Sequence, residues 1–259
     1  MPPGWKAPAM LRNWLAHRQS GPRELAALAV LYAAYEVVRG VGGEDFAAAR
    51  ANTEWIVELE RQVGVYVERA VQEAVHSVAG LPSLLGLAYM LLHFAGTAAF
   101  LAWAHRRNPR VYATARTTLV VSTALALVGY VLFPAAPPRL AELGFVDTVS
   151  SSTGVNLSSD LLGSLYNPLA AVPSLHFGYA VIVGAGLAVG ARPTAVRAAG
   201  ALYPALMLFV IVATGNHFLF DAAAGGAVVL AAWLTARRLE AASRSDAGEG
   251  AAAPRAVTG

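Results

Sequence analysis

Six long apolar stretches, at residues 25–38, 81–104, 111–133, 172–189, 198–213 and 217–236, constrain this chain more than any other feature. The hydrocarbon core of a bilayer is about 30 Å thick and takes about 20 mostly apolar helical residues to cross. Only helices and closed barrels satisfy their own backbone there, and these runs lack the alternation of barrel strands. The rest of the composition agrees. Charged residues make up 14% of the 259, mean hydropathy is +0.51, and a soluble domain carries about 25% charge. The expected fold is therefore all-α: a polytopic membrane protein built as a six-transmembrane-helix bundle.

Cysteine is absent, which excludes disulfides, thiolate metal sites, iron–sulfur clusters and cysteine nucleophiles. A net charge of +3 is too small to point to nucleic acid. Glu36, Arg39 and Gly40 follow the first stretch where a signal peptide would place a small-residue cleavage site. Residues 46–77 mix Trp55, Ile56, Leu59 and Val63 with Glu58, Glu60, Arg61 and Glu68 at helical spacing. One or two amphipathic helices are expected there, lying on the bilayer interface or packed as ordinary solvated helices, and no chemistry is assigned to them. From Glu240 onward the chain is Ala, Gly, Ser and scattered charge, read as a disordered tail. The organisation expected is a cytoplasmic segment at 1–24 and, at 25–79, a first span with amphipathic helices. A membrane core at 80–238 and a tail at 239–259 follow.

Six spans put both termini on one side. Sorting the 19 Lys and Arg by connecting segment places fourteen on the terminus side and five on the other. Basic segments stay in the cytoplasm, so the termini are expected inside, with residues 134–171 and the turn Thr214-Gly215-Asn216 facing outward. The Ala- and Arg-rich composition suggests a bacterial plasma membrane.

Three ends on that outer side carry ionisable groups. The long loop opens Pro134-Ala135-Ala136-Pro137-Pro138-Arg139, where consecutive prolines stiffen the segment that presents Arg139. The fourth span opens Val172-Pro173-Ser174-Leu175-His176, with Pro173 suited to a first helical turn. The sixth opens Asn216-His217-Phe218-Leu219-Phe220-Asp221, so His217 and Asp221 lie one turn apart on one helix face. Arginine holds phosphate through its planar fork. A histidine backed by a carboxylate becomes an oriented base or nucleophile, and a second histidine can protonate a leaving oxygen. Each element also has a plain structural reading: a headgroup anchor, a packed histidine, a buried pair. Their common depth in the membrane favours a site.

At these residues the chain resembles the type 2 phosphatidic acid phosphatase superfamily, over about residues 81–236. Ala136-Pro137-Pro138-Arg139, Pro173-Ser174-Leu175-His176 and Thr214-Gly215-Asn216-His217 with Asp221 resemble its inositolphosphotransferase-like branch, which includes inositol phosphorylceramide synthases. The resemblance implies that His217 attacks a lipid phosphate to form a phosphohistidine and that Asp221 orients His217. It implies that His176 protonates the leaving oxygen and then activates water or an alcohol. Arg139 would bind the phosphate oxygens, with Ser174 donating a hydrogen bond. No cofactor is implied. Two histidines and an aspartate could in principle hold a metal, and the resemblance argues against one.

The chain departs from the commoner family pattern at four positions. Leu132 stands where a lysine is usual, Val210 and Ile211 where Ser-Arg is usual, and Leu175 where glycine precedes the histidine. Two cationic phosphate contacts are thus absent, leaving Asn216, Thr214 and a helix N-terminus, or another cation such as Arg116, to take over. Arg116 falls near the cytoplasmic end of the third span. His93 lies mid-span, open to a place near the substrate or to a helix-to-helix hydrogen bond. Glu36 stays unassigned, or paired with Arg39.

The function expected is a metal-independent lipid phosphatase or phosphotransferase at the outer leaflet, passing the phosphoryl group to water or to an alcohol such as inositol. A polyprenyl phosphate or diphosphate phosphatase is the nearest alternative. The partners expected are a lipid phosphate, an alcohol acceptor and membrane lipids, with no nucleic acid and an open oligomeric state. An intramembrane serine protease fits poorly, since Ser174 is two residues from His176 and no Gly-x-Ser-Gly occurs. A transporter or non-catalytic scaffold would carry ionisable groups near the midplane.

Overall fold

The computed structural model describes residues 45–153 and 168–252, together with Glu24, Ala26, Ala29, Val30 and Ala33. Among these, every regular element is helical, and one isolated bridge joins Ala135 to Ala170. Most of the first apolar stretch, and residues 154–167 of the long connection, lie outside the described residues.

Helix α1 (Phe46–Gln62) starts where Asp45 accepts a hydrogen bond from the Ala48 amide at 2.9 Å. Its buried positions, Ala49, Thr53, Ile56, Val57 and Glu60, recur every three or four residues and so share one face. Helix α2 (Glu68–His76) buries Glu68, Gln72 and Val75 by the same rule. Helix α3 (Leu81–Arg107) is interrupted by a π-helical turn at Leu92–Gly96. Asn108 caps α4 (Pro109–Leu132), accepting from the Val111 amide. A 3₁₀ turn at Pro138–Leu140 and helix α5 (Thr148–Thr153) follow in the long connection. Helices α6 (Leu175–Gly190), α7 (Thr194–Ala213) and α8 (Leu219–Ala252) complete the chain.

Four segments are long and apolar enough to cross a membrane: Leu81–Arg107, Pro109–Leu132, Thr194–Ala213 and Leu219–Ala242. The fourth span expected from the sequence is shorter. Its helix has 16 residues and a length of about 24 Å, because the chain bends at Val172 and Pro173 and is extended at Ser174. Pro173 therefore precedes the helix instead of occupying its first turn, and Ser174 is the cap. The tail expected to be irregular from Glu240 is helical as far as Ala252, where alanine's helix propensity prolongs α8.

Helix α6 is the centre of the bundle, packed against α7, α8 and α4, and α8 packs on α4 as well. Small residues allow this closeness, as is usual between helices in lipid. A Cβ on Gly184 of α6 would lie 2.5 Å from the Gly200 carbonyl oxygen of α7. A Cβ on Gly225 of α8 would lie 2.3 Å from the Ser174 carbonyl oxygen, so α8 touches the backbone at the start of α6. Large side chains fill the remaining layers: Met207, Val210 and Ile211 pack with Leu85 and Ala180, and Phe100, Tyr112 and Leu119 with Ile182 and Val183.

Candidate active site

The contact between α8 and the start of α6 brings two histidines together. The Ser174 amide donates to the Asp221 carbonyl oxygen at 2.9 Å, tying the two helix starts to each other. The Ser174 hydroxyl oxygen accepts from the Phe177 amide at 3.3 Å, an N-cap that fixes the first turn carrying His176. His176 and His217 then face each other with ring centroids 5.6 Å apart.

His217 is oriented from behind. Its Nδ1 lies 3.1 Å from Asp221 Oδ2, which also accepts from the Phe218 amide at 3.0 Å. Both residues are buried, and engaging Nδ1 leaves Nε2 as the ring nitrogen free for chemistry. The turn before it is closed by Gly215, whose φ of +70° favours glycine, and whose carbonyl oxygen accepts from the Arg139 amide at 2.9 Å.

That backbone bond brings the proline-stiffened loop onto the same turn. Arg139 Nε donates to Asn216 Oδ1 at 3.0 Å and Nη1 lies 3.3 Å from Asp147 Oδ2. Asn216 in turn donates to Thr214 Oγ1 at 2.9 Å, and the Thr214 hydroxyl donates to the Val210 carbonyl at 2.7 Å. A pocket of about 250 Å³ opens here, lined among others by Tyr89, His93, Arg139, His176, Asn216 and His217. Of the six residues singled out in the sequence, four thus line one pocket: Arg139, His176, Asn216 and His217. Asp221 stands behind His217, and Ser174 lies outside the lining with its hydroxyl engaged in the cap. His176 stacks on Tyr89 at 4.2 Å, and its Nε2 is buried without a hydrogen-bond partner among the described residues.

The positions that depart from the family pattern are also placed. Leu132 is 76% exposed on the outside of α4, and Ile211 is fully buried in the core beside Met207. Arg116 is paired with Glu24 at 2.7 Å, sixteen residues before Leu132 along α4 and so about 24 Å away from the site end.

Two residues escaped the sequence reading. Glu60 Oε1 accepts from the Phe220 amide at 2.7 Å, and Glu68 Oε1 from the Leu219 amide at 2.9 Å. Together with Asp221 they satisfy the first amides of α8, the turn that positions His217. Glu60 and Glu68 are 2% and 0% exposed, and each has its Oε2 buried with no donor among the described residues. Burial, followed by the nearby Glu68 and opposed by the Phe220 amide, pushes the Glu60 carboxyl up to about 8. The available signal was phase: Glu60 falls three and four residues after Val57 and Ile56, on the apolar stripe of α1.

No curated protein and no solved structure matches the chain. The family model for the PAP2 superfamily matches residues 54–235, a span running from α1 to α8 and containing every residue of the pocket named above. The chain belongs to the PAP2 superfamily.

Proposed function

We propose that the protein cleaves a lipid phosphate through a phosphohistidine on His217, and that it does so at the outer leaflet. The observation that carries this reading is the convergence of His217, with Asp221 behind it, on His176 and Arg139 in one pocket. Superfamily membership supports phosphatase-type activity on lipid phosphates, and four apolar helices suit a substrate held in a bilayer. The excess of Lys and Arg on the terminus side supports an outward-facing site.

In the first half-reaction the His217 Nε2 lone pair attacks phosphorus and the phosphorus–oxygen bond to the lipid breaks. His176, entering protonated, gives its proton to the departing oxygen. Asp221 holds the Nδ1 proton and offsets the positive charge that develops on His217. Arg139, held in place by Asn216 and Asp147, balances charge on the phosphate oxygens. In the second half-reaction His176 takes a proton from the incoming water or alcohol, whose oxygen attacks phosphorus while the phosphorus–nitrogen bond breaks. Ser174 acts at one remove, through the cap that sets His176.

Transfer to an alcohol such as inositol is the finer reading. The Ala-Pro-Pro-Arg and Asn-His motifs, with Leu132 and Ile211 in place of the usual cations, support an inositolphosphotransferase-like chain. The deciding assay incubates detergent-purified protein and His217→Ala with phosphatidate, polyprenyl phosphate and diphosphate, and phosphoinositol lipids. EDTA is present throughout, with myo-inositol included or omitted. Phosphate release by the wild type alone supports hydrolysis, and a phosphorylated alcohol that forms only when myo-inositol is present supports transfer. Equal turnover by His217→Ala refutes the reading.

A further inference from the structure

His93 was left between two roles by the sequence, and the fold gives it a particular place. The π-helical turn Leu92–Gly96 widens α3 at this residue, a distortion common at functional positions. The turn is built in from outside. The Tyr203 hydroxyl of α7 donates to the Leu92 carbonyl at 2.7 Å, and a Cβ on Gly96 would lie 2.8 Å from that hydroxyl oxygen. The result places the His93 ring against His176, with centroids 4.0 Å apart, and against Tyr179 at 5.0 Å. The ring lines the same pocket as Arg139 and His217.

Within that pocket its bonding is incomplete. His93 Nδ1 is buried and has no hydrogen-bond partner among the described residues. A buried polar nitrogen left unmade costs free energy, so a site that keeps one gains by filling it with a ligand. The pocket is also short of positive charge. Among its described lining residues Arg139 is the single arginine or lysine, and Leu132, exposed on α4, and Ile211, buried in the core, lie outside it.

We infer that His93 is a third histidine of the phosphate-binding pocket, an N–H donor to the substrate's phosphate oxygens in place of the two cationic contacts this chain lacks. The inference rests on the proposed function for the identity of the ligand. It goes beyond it in assigning a binding residue on α3, away from the three motifs. The stack also sets a geometric constraint: the His93 and His176 rings, inclined by 30°, sit against each other at one pocket, one binding while the other transfers the proton.

The test compares the full-length, detergent-purified wild type with His93→Phe, which keeps a stacking ring without an N–H, and His93→Gln, which restores a donor. KM and kcat are measured on a short-chain lipid phosphate, and the inhibition constant on inorganic phosphate. Loss of a donor to a charged group raises KM and the phosphate inhibition constant together by roughly tenfold to a hundredfold in His93→Phe. Turnover at saturation stays within about threefold, and His93→Gln recovers most of the loss. An unchanged inhibition constant in His93→Phe overturns the inference, as does a fall in kcat alone, which would mean that the ring acts only through His176. Should His93→Phe fail to fold, His93→Met removes the N–H at similar bulk and is read the same way. Turnover retained by His217→Ala would refute the proposed reaction, whereas phosphate inhibition reads the His93 contact independently of it.

Discussion

Glu60 holds its proton more tightly in the folded chain than in an unfolded one, and replacing it with glutamine exposes what that costs. Burial raises its carboxyl from 4.5 to about 8. Each tenfold in proton affinity is worth about 1.4 kcal/mol, so the full rise corresponds to at most about 5 kcal/mol. The Phe220 amide on Glu60 Oε1 offsets part of the charge, so about 2–3 kcal/mol is the working figure. Because the folded value is raised, the contribution is complete below pH 4.5 and is lost as pH climbs toward about 8. Glu60→Gln stays neutral throughout. Its amide oxygen can still accept from Phe220 and its amide nitrogen can donate to Glu68. The wild type should therefore lose about 5–10 °C of Tm between pH 5 and pH 9 relative to the variant, at about 2–4 °C per kcal/mol. The assay is thermal unfolding of both proteins in one detergent across that range, read as the difference between the two curves. Parallel curves, or a variant that is less stable by the same amount at every pH, would refute the raised proton affinity of Glu60.

Three further outcomes follow from the same geometry. Asp221→Asn keeps acceptors for the Phe218 amide and for His217 Nδ1 but removes the charge, so kcat should fall by about 10²–10⁴-fold with stability little changed; a loss of only a few-fold would contradict the paired role. Gly225→Ala forces a Cβ against the Ser174 carbonyl, so α8 and the start of α6 must separate. We expect about 1–3 kcal/mol of destabilisation, seen as a lowered Tm, with a larger proportional loss of activity than of stability. Arg139→Lys loses the fork that bonds Asn216 and faces the phosphate, and steady-state kinetics should show KM raised by roughly tenfold or more.

The membrane-crossing helices were legible because one physical requirement, apolar length, is written directly in residue order: the stretches at 81–104 and 198–213 each lie within a helix, and 111–133 runs one residue past the end of its own. The site was legible for a related reason. Arg139, His176 and His217 each stand at a segment end, so chain polarity alone puts them at one level. What was not legible depended on tertiary contact. Glu60 shares the buried phase of Ile56 and Val57, but neither it nor Glu68 shows what it binds until α8 supplies two amides that need acceptors. The π-helical turn at His93 has no local marker, since it follows from a hydroxyl on α7 that is distant in sequence. Ser174 carries a motif position, yet its hydroxyl oxygen accepts the bond that starts α6, a role that became visible only once the helix boundary was known. The Ala-rich stretch after Glu240 shows the opposite failure: it lacks an apolar periodicity, but intrinsic propensity is enough to continue a helix already begun.

The central claim is a covalent bond between phosphorus and His217 Nε2. It is tested most directly by mixing the protein with a radiolabelled lipid phosphate, quenching on the millisecond scale, and mapping any protein-bound phosphate by peptide mass. The account predicts label on the peptide containing His217, labile to acid and stable to base, and absent from His217→Ala. Turnover with no such species at any quench time, or label on another residue, would contradict it.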